Sequence, residues 1–261
     1  MGTLRFTKII DGKTSQNLRE PYIRQLAQAQ EYYLELLVNK GCLYQILVDS
    51  SEAGYFILSE NNILLEFFVH PEWVNRMDEY FGIILKEFGI IKALCKSFDT
   101  DLLFCCEGYQ KSTTTAGFLF RDFTGNPNGN YPSGITIRRA DMADESQIIT
   151  VNEEVFDHPE EVGQYIESQQ IFLFEKEDSL VGFGIYSPVI RGRNDYDIGM
   201  LITPEFRHKG YGTFIIHYLV NFCRQNGWNA NAGCAAENTA SRKCLEKAGF
   251  VTRHRLLKFL F

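Results

Sequence analysis

Read for where apolar side chains recur, the second half of the chain switches between two periods. Ile135–Arg139 alternates like a strand, and over Asp144–Phe156 the apolar residues take helical spacing, with acids near the start. Pro159 opens a second short helix, where its missing N–H is tolerated. Ile171–Phe174 and Leu180–Tyr186 are apolar runs parted by the polar turn Glu175–Ser179, the pattern of a hairpin. Asp197–Thr203 predicts another strand, stopped by Pro204. From Gly210 to Gln225 one helical face carries Phe214, Ile215, Tyr218, Leu219 and Phe222, and Gly227 ends it. Trp228–Ala235 reads as a strand, Glu237–Ala248 as a helix and Phe250–Phe261 as a closing strand. The order β-α-α-β-β-β-α-β-α-β predicts an α/β domain, α+β in kind, with a mixed sheet.

The first half shows part of the same pattern. Ala53–Trp73 and Val181–Phe206 both read as two strands around a polar turn, ending in a β-branched residue, any residue, Pro, any residue and an aromatic. Helix-patterned runs follow, Val74–Phe88 and Gly210–Cys223. Ala93–Ser97 and Asp101–Cys106 then look strand-like and Lys111–Phe120 helix-like, with Gly117-Phe118 echoing Gly249-Phe250. Between the halves Thr124–Gly134 (TGNPNGNYPSG) is built from turn formers. The expected organisation is therefore a domain over residues 1–123, a linker over 124–133 and a domain over 134–261. The alternative for the first half is an unrelated α/β domain that only looks periodic.

Composition narrows the setting. With 261 residues and 45% hydrophobic side chains, the chain can bury one large core or two modest ones. A net charge of −7 argues against nucleic-acid binding, which needs concentrated Lys and Arg. It suits a cationic substrate, and equally a protein charged only for solubility. Seven cysteines without a regular framework, no signal-like start and no membrane-length apolar run predict a cytoplasmic protein with packed thiols. No Cys/His spacing suggests a metal.

The sharpest local feature is Arg207-His208-Lys209-Gly210-Tyr211-Gly212, between a strand and a long helix. Free N–H groups and the dipole at a helix N-terminus attract anions, glycines let backbone approach phosphate, and three basic side chains add charge. A Gly-x-Gly arises by chance about once in a chain of this size. The alternative is a tight turn whose glycines only relieve crowding.

Further on stand Glu237-Asn238-Thr239-Ala240-Ser241 and Glu246-Lys247-Ala248-Gly249-Phe250. Together with the loop, in this order and at this spacing, they resemble the GNAT acetyltransferase superfamily, and the ENTASRKCLEKAGF run is similar to the branch that acetylates ribosomal-protein N-termini. The resemblance covers about half the chain. It implies an acyl-CoA N-acyltransferase (GNAT) fold, and the internal repeat extends this to a tandem with a degenerate first half: Val74-Asn75-Arg76-Met77-Asp78-Glu79 has no glycine and sets two acids where phosphate would lie.

What the resemblance implies about residues is specific. Met200, Leu201 and Ile202 should offer backbone to the pantetheine arm of acetyl-CoA, one N–H holding the tetrahedral oxyanion. Arg207, His208, Lys209, Gly210, Tyr211, Gly212 and Thr213 should cradle the pyrophosphate, and Asn238 should bond the pantetheine amide. Asp197, with Asp195 behind it, is the expected base, although the strand position nearest the family's carboxylate is Tyr196. The family tyrosine six residues after the Asn is Cys244 here, so Ser241, then Cys244, is expected as the acid. The implied reaction is direct acetyl transfer to a primary amine or protein N-terminus in a ternary complex, without metal, nucleic acid or membrane. A non-catalytic acyl-CoA-binding or partner-binding module is the alternative. Phe156, Asp157 and Tyr186 are candidate pocket walls, and the sequence leaves the acceptor and the oligomeric state open.

Overall fold

Each half of the chain winds through the same succession of elements. A computed structural model of the protein describes residues 3–127, 132–152, 155–156 and 158–261. The first half runs β1 (Leu4–Ile9), α1 (Gly12–Gln25), α2 (Tyr32–Lys40), β2 (Cys42–Val48), β3 (Ser51–Leu58), β4 (Leu64–Val69), α3 (Met77–Glu87), β5 (Lys92–Lys96), α4 (Thr100–Tyr109) and β6 (Ser112–Phe123). The second runs β7 (Thr136–Arg139), α5 (Glu145–Val151), α6 (Pro159–Glu167), β8 (Ile171–Lys176), β9 (Ser179–Pro188), β10 (Asp195–Ile202), α7 (Tyr211–Gln225), β11 (Asn229–Ala235), α8 (Thr239–Ala248) and β12 (Phe250–Leu260). The repeat is thus fuller than the sequence pattern implied.

Three expected elements are corrected. Asp101–Cys106 belongs to the helix α4, because Leu102, Cys105 and Cys106 are its buried residues, at i, i+3 and i+4. Lys111–Phe120, expected as a helix, falls in the strand β6, which suits its run of β-branched threonines. The counterpart of Gly249, which caps α8, is consequently Gln110 after α4, and the Gly117-Phe118 echo has no structural basis. The helix expected to reach Phe156 stops at Val151. Asn152 ends it: its Oδ1 accepts from the N–H of Val155 and Phe156 at 3.0 and 3.1 Å, and its Nδ2 donates to the Phe156 carbonyl.

The chain divides into two units. The first comprises Met1–Leu119, Ala235–Glu237 and Arg253–Phe261; the second comprises Phe120–Cys234 and Asn238–Thr252. The division falls inside β6, ahead of the expected linker, of which residues 128–131 lie outside the described residues. The last strand, expected in the second domain, gives most of its length to the first: Leu256–Leu260 pairs antiparallel with Lys92–Lys96 of β5.

In the first unit the strand order is β1-β2-β3-β4-β5-β12. One face carries a core of Phe67, Phe81, Ile84, Leu102, Cys105 and Phe259, under α3 and α4. The other buries Leu18, Tyr22, Leu34, Leu65 and Phe68, under α1 and α2. In the second unit β7-β8-β9-β10-β11 follow in order. Ile148, Val162, Ile166, Phe183 and Leu201 pack together on the face of α5 and α6. On the opposite face Phe174 meets Phe214 of α7 edge to face at 5.6 Å. Among the described residues no helix is long and apolar enough to cross a membrane.

Candidate functional site

The site grows out of the way β10 parts from β11. Parallel pairing joins Asp195 to Asn229, Tyr196 to Ala230 and Asp197 to Asn231, while β10 runs on to Ile202. On its other edge β10 pairs with β9 throughout, from Tyr196–Pro188 to Ile202–Gly182. The hydrogen bonds Val189 N–H to Asp195 C=O (2.9 Å) and Thr203 N–H to Val181 C=O (3.0 Å) fix the phase of that ladder. Odd-numbered residues of β10 therefore turn their backbone groups to β9, and Ile198, Met200 and Ile202 turn theirs to the side where β11 has left. The Ile202 carbonyl, turned away from β9, accepts from Arg207 Nε at 3.0 Å. Leu201, expected to share this backbone role, is corrected: its N–H and C=O face β9 and its side chain is core.

The loop after β10 is shaped for an uncapped helix start. His208 (φ 60°) and Gly210 (φ 88°) both adopt left-handed backbone, which glycine takes without strain and histidine does not. The first helical bond of α7 runs from Phe214 N–H to Gly210 C=O at 3.2 Å. Gly210 offers no side chain as a cap, so the N–H groups of Tyr211, Gly212 and Thr213 precede the helical ladder as donors. Arg207, His208 and Lys209 are exposed beside them, and Lys209 Nζ lies 5.5 Å over the Phe206 ring. The Tyr211 ring is buried against Phe206, which leaves only its backbone for a ligand.

Gly212 has a second reason to be glycine. A Cβ there would stand 2.8 Å from Cys244 Sγ and 3.2 Å from Met200 Cε. The structure therefore brings Met200 of β10, Gly212 and Thr213 of α7, and Cys244 of α8 to one place. Burial raises the Cys244 thiol above its ordinary pKa, opposed by the Thr213 hydroxyl and the Lys247 charge, so Cys244 carries its proton at neutral pH. Asn238 caps α8, its Oδ1 accepting from Ser241 N–H at 2.9 Å. Its amide nitrogen is the part that can donate to a ligand.

Asp197 lies on the other face of the sheet. Side chains alternate along β10, and Leu201 packs among α5 and α6, so Asp195, Asp197 and Gly199 share that face. Cross-strand register sets Ser187 and Asn231 beside Asp197, and Asn229 beside Asp195. Asn229 Nδ2 donates to Asp195 Oδ1 at 3.2 Å, and the Ser187 hydroxyl to Gln170 Oε1 at 3.3 Å. Sequence reading missed this polar strip; its one local signal was the alternation Asn229, Asn231.

Two expected wall residues are core instead. Phe156 is buried beside Phe183. Tyr186 points to the α7 face, where it accepts from Arg139 at 2.6 Å and lies among Phe222, Trp228 and Tyr196. Asp157 lies outside the described residues.

The first unit can be compared position by position. β4 and β5 pair at Leu64–Ala93, so Leu64 stands where Asp197 does. Arg76 precedes α3 as Gly210 precedes α7, and Asp78 and Glu79 fill the first turn, with Arg76 bonded to Glu79 at 2.9 and 3.0 Å. Asp99 precedes α4 as Asn238 precedes α8. Cys105, six residues on, matches Cys244, and burial, then the charge of Asp78, pushes its thiol up to about 12.

A gapped parallel strand pair, an open helix N-terminus behind it and two copies of one element order define a tandem acyltransferase architecture. Residues 12–123 match the family model described as "Acetyltransferase (GNAT) domain", and residues 140–250 match the "Acetyltransferase (GNAT) family". The chain is a tandem member of the GNAT superfamily. It is similar in fold to a GNAT-family acetyltransferase from Colwellia psychrerythraea, at TM-score 0.88 and 15% identity over 98% of this chain and 99% of that one. A GCN5-related N-acetyltransferase from Sphaerobacter thermophilus matches at TM-score 0.65 and 12% identity, over 98% and 94%. A tandem GNAT protein from the clavulanic acid biosynthesis pathway matches at TM-score 0.63 and 11% identity, over 98% of each. No curated protein matches the sequence.

Proposed function

We propose that the second unit binds acetyl-CoA and transfers its acetyl group to a primary amine by direct attack in a ternary complex. The observation that carries this reading is the parting of β10 from β11 after Asp197, with Met200 and Ile202 turning backbone donors and acceptors into the opening. A peptide-like pantetheine arm can pair with the Met200 backbone and the Ile202 N–H there, the Ile202 carbonyl already accepting from Arg207. The Tyr211, Gly212 and Thr213 N–H groups, with Arg207, His208 and Lys209, suit the pyrophosphate. Asn238 Nδ2 is the further donor.

Chemistry follows from which face each group occupies. An ammonium must lose a proton before it attacks, and Asp197, on the α5/α6 face, accepts it directly or through water. The Met200 N–H is the preorganised donor for the oxyanion that forms at the thioester carbonyl. Cys244, or Ser241 in the first turn of α8, returns a proton to the departing thiolate. The strip of Gln170, Ser187, Asn229 and Asn231 beside the two aspartates favours a polar amine, small or a protein N-terminus, over an apolar one. In the first unit Arg76, Asp78, Leu64 and Asp99 replace the loop glycines, the base and the asparagine, so one acetyl-CoA site per chain is the expected stoichiometry. The proposal places the chain in solution in the cytoplasm, with neither nucleic acid nor metal as partner.

Calorimetric titration with acetyl-CoA tests this, with Lys209→Glu as control. Lys209 is exposed, whereas a glutamate at Gly212 would also collide with Cys244. One site, weakened in the variant, supports the reading. Two sites would overturn the assignment of the first unit, and no binding would overturn the whole. The second reading, a binding module without turnover, draws on Cys244 standing in place of the family's tyrosine; binding without acetylation across a panel of polar amines would favour it.

A further inference from the structure

The first unit buries charge that acetyl transfer does not use. Glu66 lies on β4 two residues past Leu64 and is wholly buried. Its carboxylate accepts from Arg19 Nε at 3.0 Å and Nη2 at 2.7 Å, from Gln30 Nε2 at 2.8 Å and from the Tyr55 hydroxyl at 2.9 Å. Glu35 of α2, also buried, takes a second edge of the same guanidinium, from Nη1 at 2.9 Å and Nη2 at 2.7 Å. The Arg19 side chain is 11% exposed. One turn along α1, Tyr22 donates to Asp99 and accepts from Lys96, both at 2.5 Å, and all three are buried.

Taking three charges out of water is costly unless geometry and hydrogen bonding are nearly complete. Here they are. Two carboxylates meet the planar fork on two edges, the arrangement that distinguishes guanidinium from a point-charge ammonium. Gln30 and Tyr55 engage the Glu66 oxygens from outside, so that carboxylate is held in place independently of Arg19. Burial alone would lower the Arg19 pKa; the charges and hydrogen bonds of Glu66 and Glu35 reverse that and raise it. With one cation between two carboxylates, the pocket without Arg19 would lose the planar donor that bridges Glu66 and Glu35.

Among the described residues, the equivalent position in the second unit carries no such group. Two residues past Asp197 stands Gly199, and the nearest atoms to a Cβ there are Ile185 side-chain carbons at 3.2 and 3.3 Å. Where one unit presents bare backbone under its helix pair, the other presents a carboxylate already holding a cation from its own α1.

We propose that Glu35, Glu66, Gln30 and Tyr55 form a guanidinium-binding site in the first unit, and that the protein's own Arg19 is its occupant. The ligand class it takes when Arg19 is absent is a small alkylguanidinium. Arg19→Ala in the full chain tests this by thermal unfolding with methylguanidinium, methylammonium or neither, beside the wild type and Arg19→Ala/Glu66→Gln. The expected result is a saturable Tm rise of several degrees in Arg19→Ala with methylguanidinium alone, and none in the wild type or the double variant. Should Arg19→Ala not fold unaided, the readout is refolding yield, which methylguanidinium should restore and methylammonium should not. An effect no larger than in the wild type, an equal effect of methylammonium, or no recovery on refolding would each overturn the proposal. None of these outcomes depends on acetyl-CoA.

Discussion

Gly212 and Cys244 touch so closely that a Cβ on the glycine would stand 2.8 Å from the thiol sulfur. The second loop glycine therefore serves packing between α7 and α8 as well as any anion. Gly212→Ala should cost about 1–3 kcal/mol, the range for overpacking a tight contact, and Cys244→Ala in the same chain should return most of it. Gly210→Ala should cost about 1–2 kcal/mol through its left-handed backbone, with no relief from Cys244→Ala. Urea unfolding of these four variants and of Cys244→Ala alone measures both couplings; strict additivity at Gly212 would remove the packing explanation.

Asp197 and Leu64 occupy one position in two copies of the fold, and only the first is a group that can accept a proton. Asp197→Asn should lower kcat by about 10²–10⁴, the usual contribution of a positioned base, while leaving acetyl-CoA affinity unchanged. Asp195→Asn should do less, because Asp195 lies two residues further from the point where β10 and β11 part. Steady-state kinetics beside calorimetry separates the two effects. A fall in affinity with unchanged kcat would make Asp197 a structural residue.

How much of this was legible depended on the range of the interaction. The second half was readable because its periods are long and its stops, Pro204, Gly227 and Gly249, are chemically explicit. In the first half the six-residue run Asp101–Cys106 was too short to separate helix from strand by pattern, and its misreading carried the next element with it. The loop motif could be read, but the packing role of Gly212 could not, since Cys244 is distant in sequence. Likewise the strip of Ser187, Asp197 and Asn231 exists only through register, a property of three strands together. Which of Met200 and Leu201 faces the gap turns on the phase of one ladder. The four bonds of Arg19 to Glu35 and Glu66 join residues that no local pattern connects.

The corner between β7 and α5 should make the second unit acid-sensitive. Arg138 grips Asp144 at 2.7 Å through two nitrogens and Glu175 at 2.8 Å. Hydrogen bonding from Arg138 holds the Asp144 carboxyl below its ordinary value, against the opposing effect of burial. A lowered carboxylate contributes stability that is present above its unfolded pKa, near 4, and lost as pH falls through the lower folded value. Stability should therefore decline below about pH 4, and Asp144→Asn should flatten that decline at a cost of about 1 kcal/mol at neutral pH. Urea midpoints from pH 7 to 3 decide it; an unchanged acid slope in the variant would assign the sensitivity elsewhere.

The C-terminal strand offers a test of how the chain distributes its two cores. Phe259 is far along the sequence in the second half, yet it is fully buried in the core of the first unit, among Phe67, Phe81 and Cys105. Truncating a phenylalanine at such a site typically costs about 3–5 kcal/mol. The two tryptophans are natural reporters: Trp73 packs against that same core, and Trp228 stacks on Tyr196 in the second unit at 4.0 Å. In a Trp228→Phe background, where Trp73 alone fluoresces, Phe259→Ala should lower the denaturant midpoint by that amount divided by the slope of the transition. In a Trp73→Phe background the same substitution reports through Trp228. A Trp73 transition that stays in place while the Trp228 transition moves would mean that the last strand stabilises the unit that encodes it, contrary to its pairing with β5. A shifted Trp73 transition would mean that β12, although it follows the second half of the sequence, stabilises the unit with whose β5 it pairs.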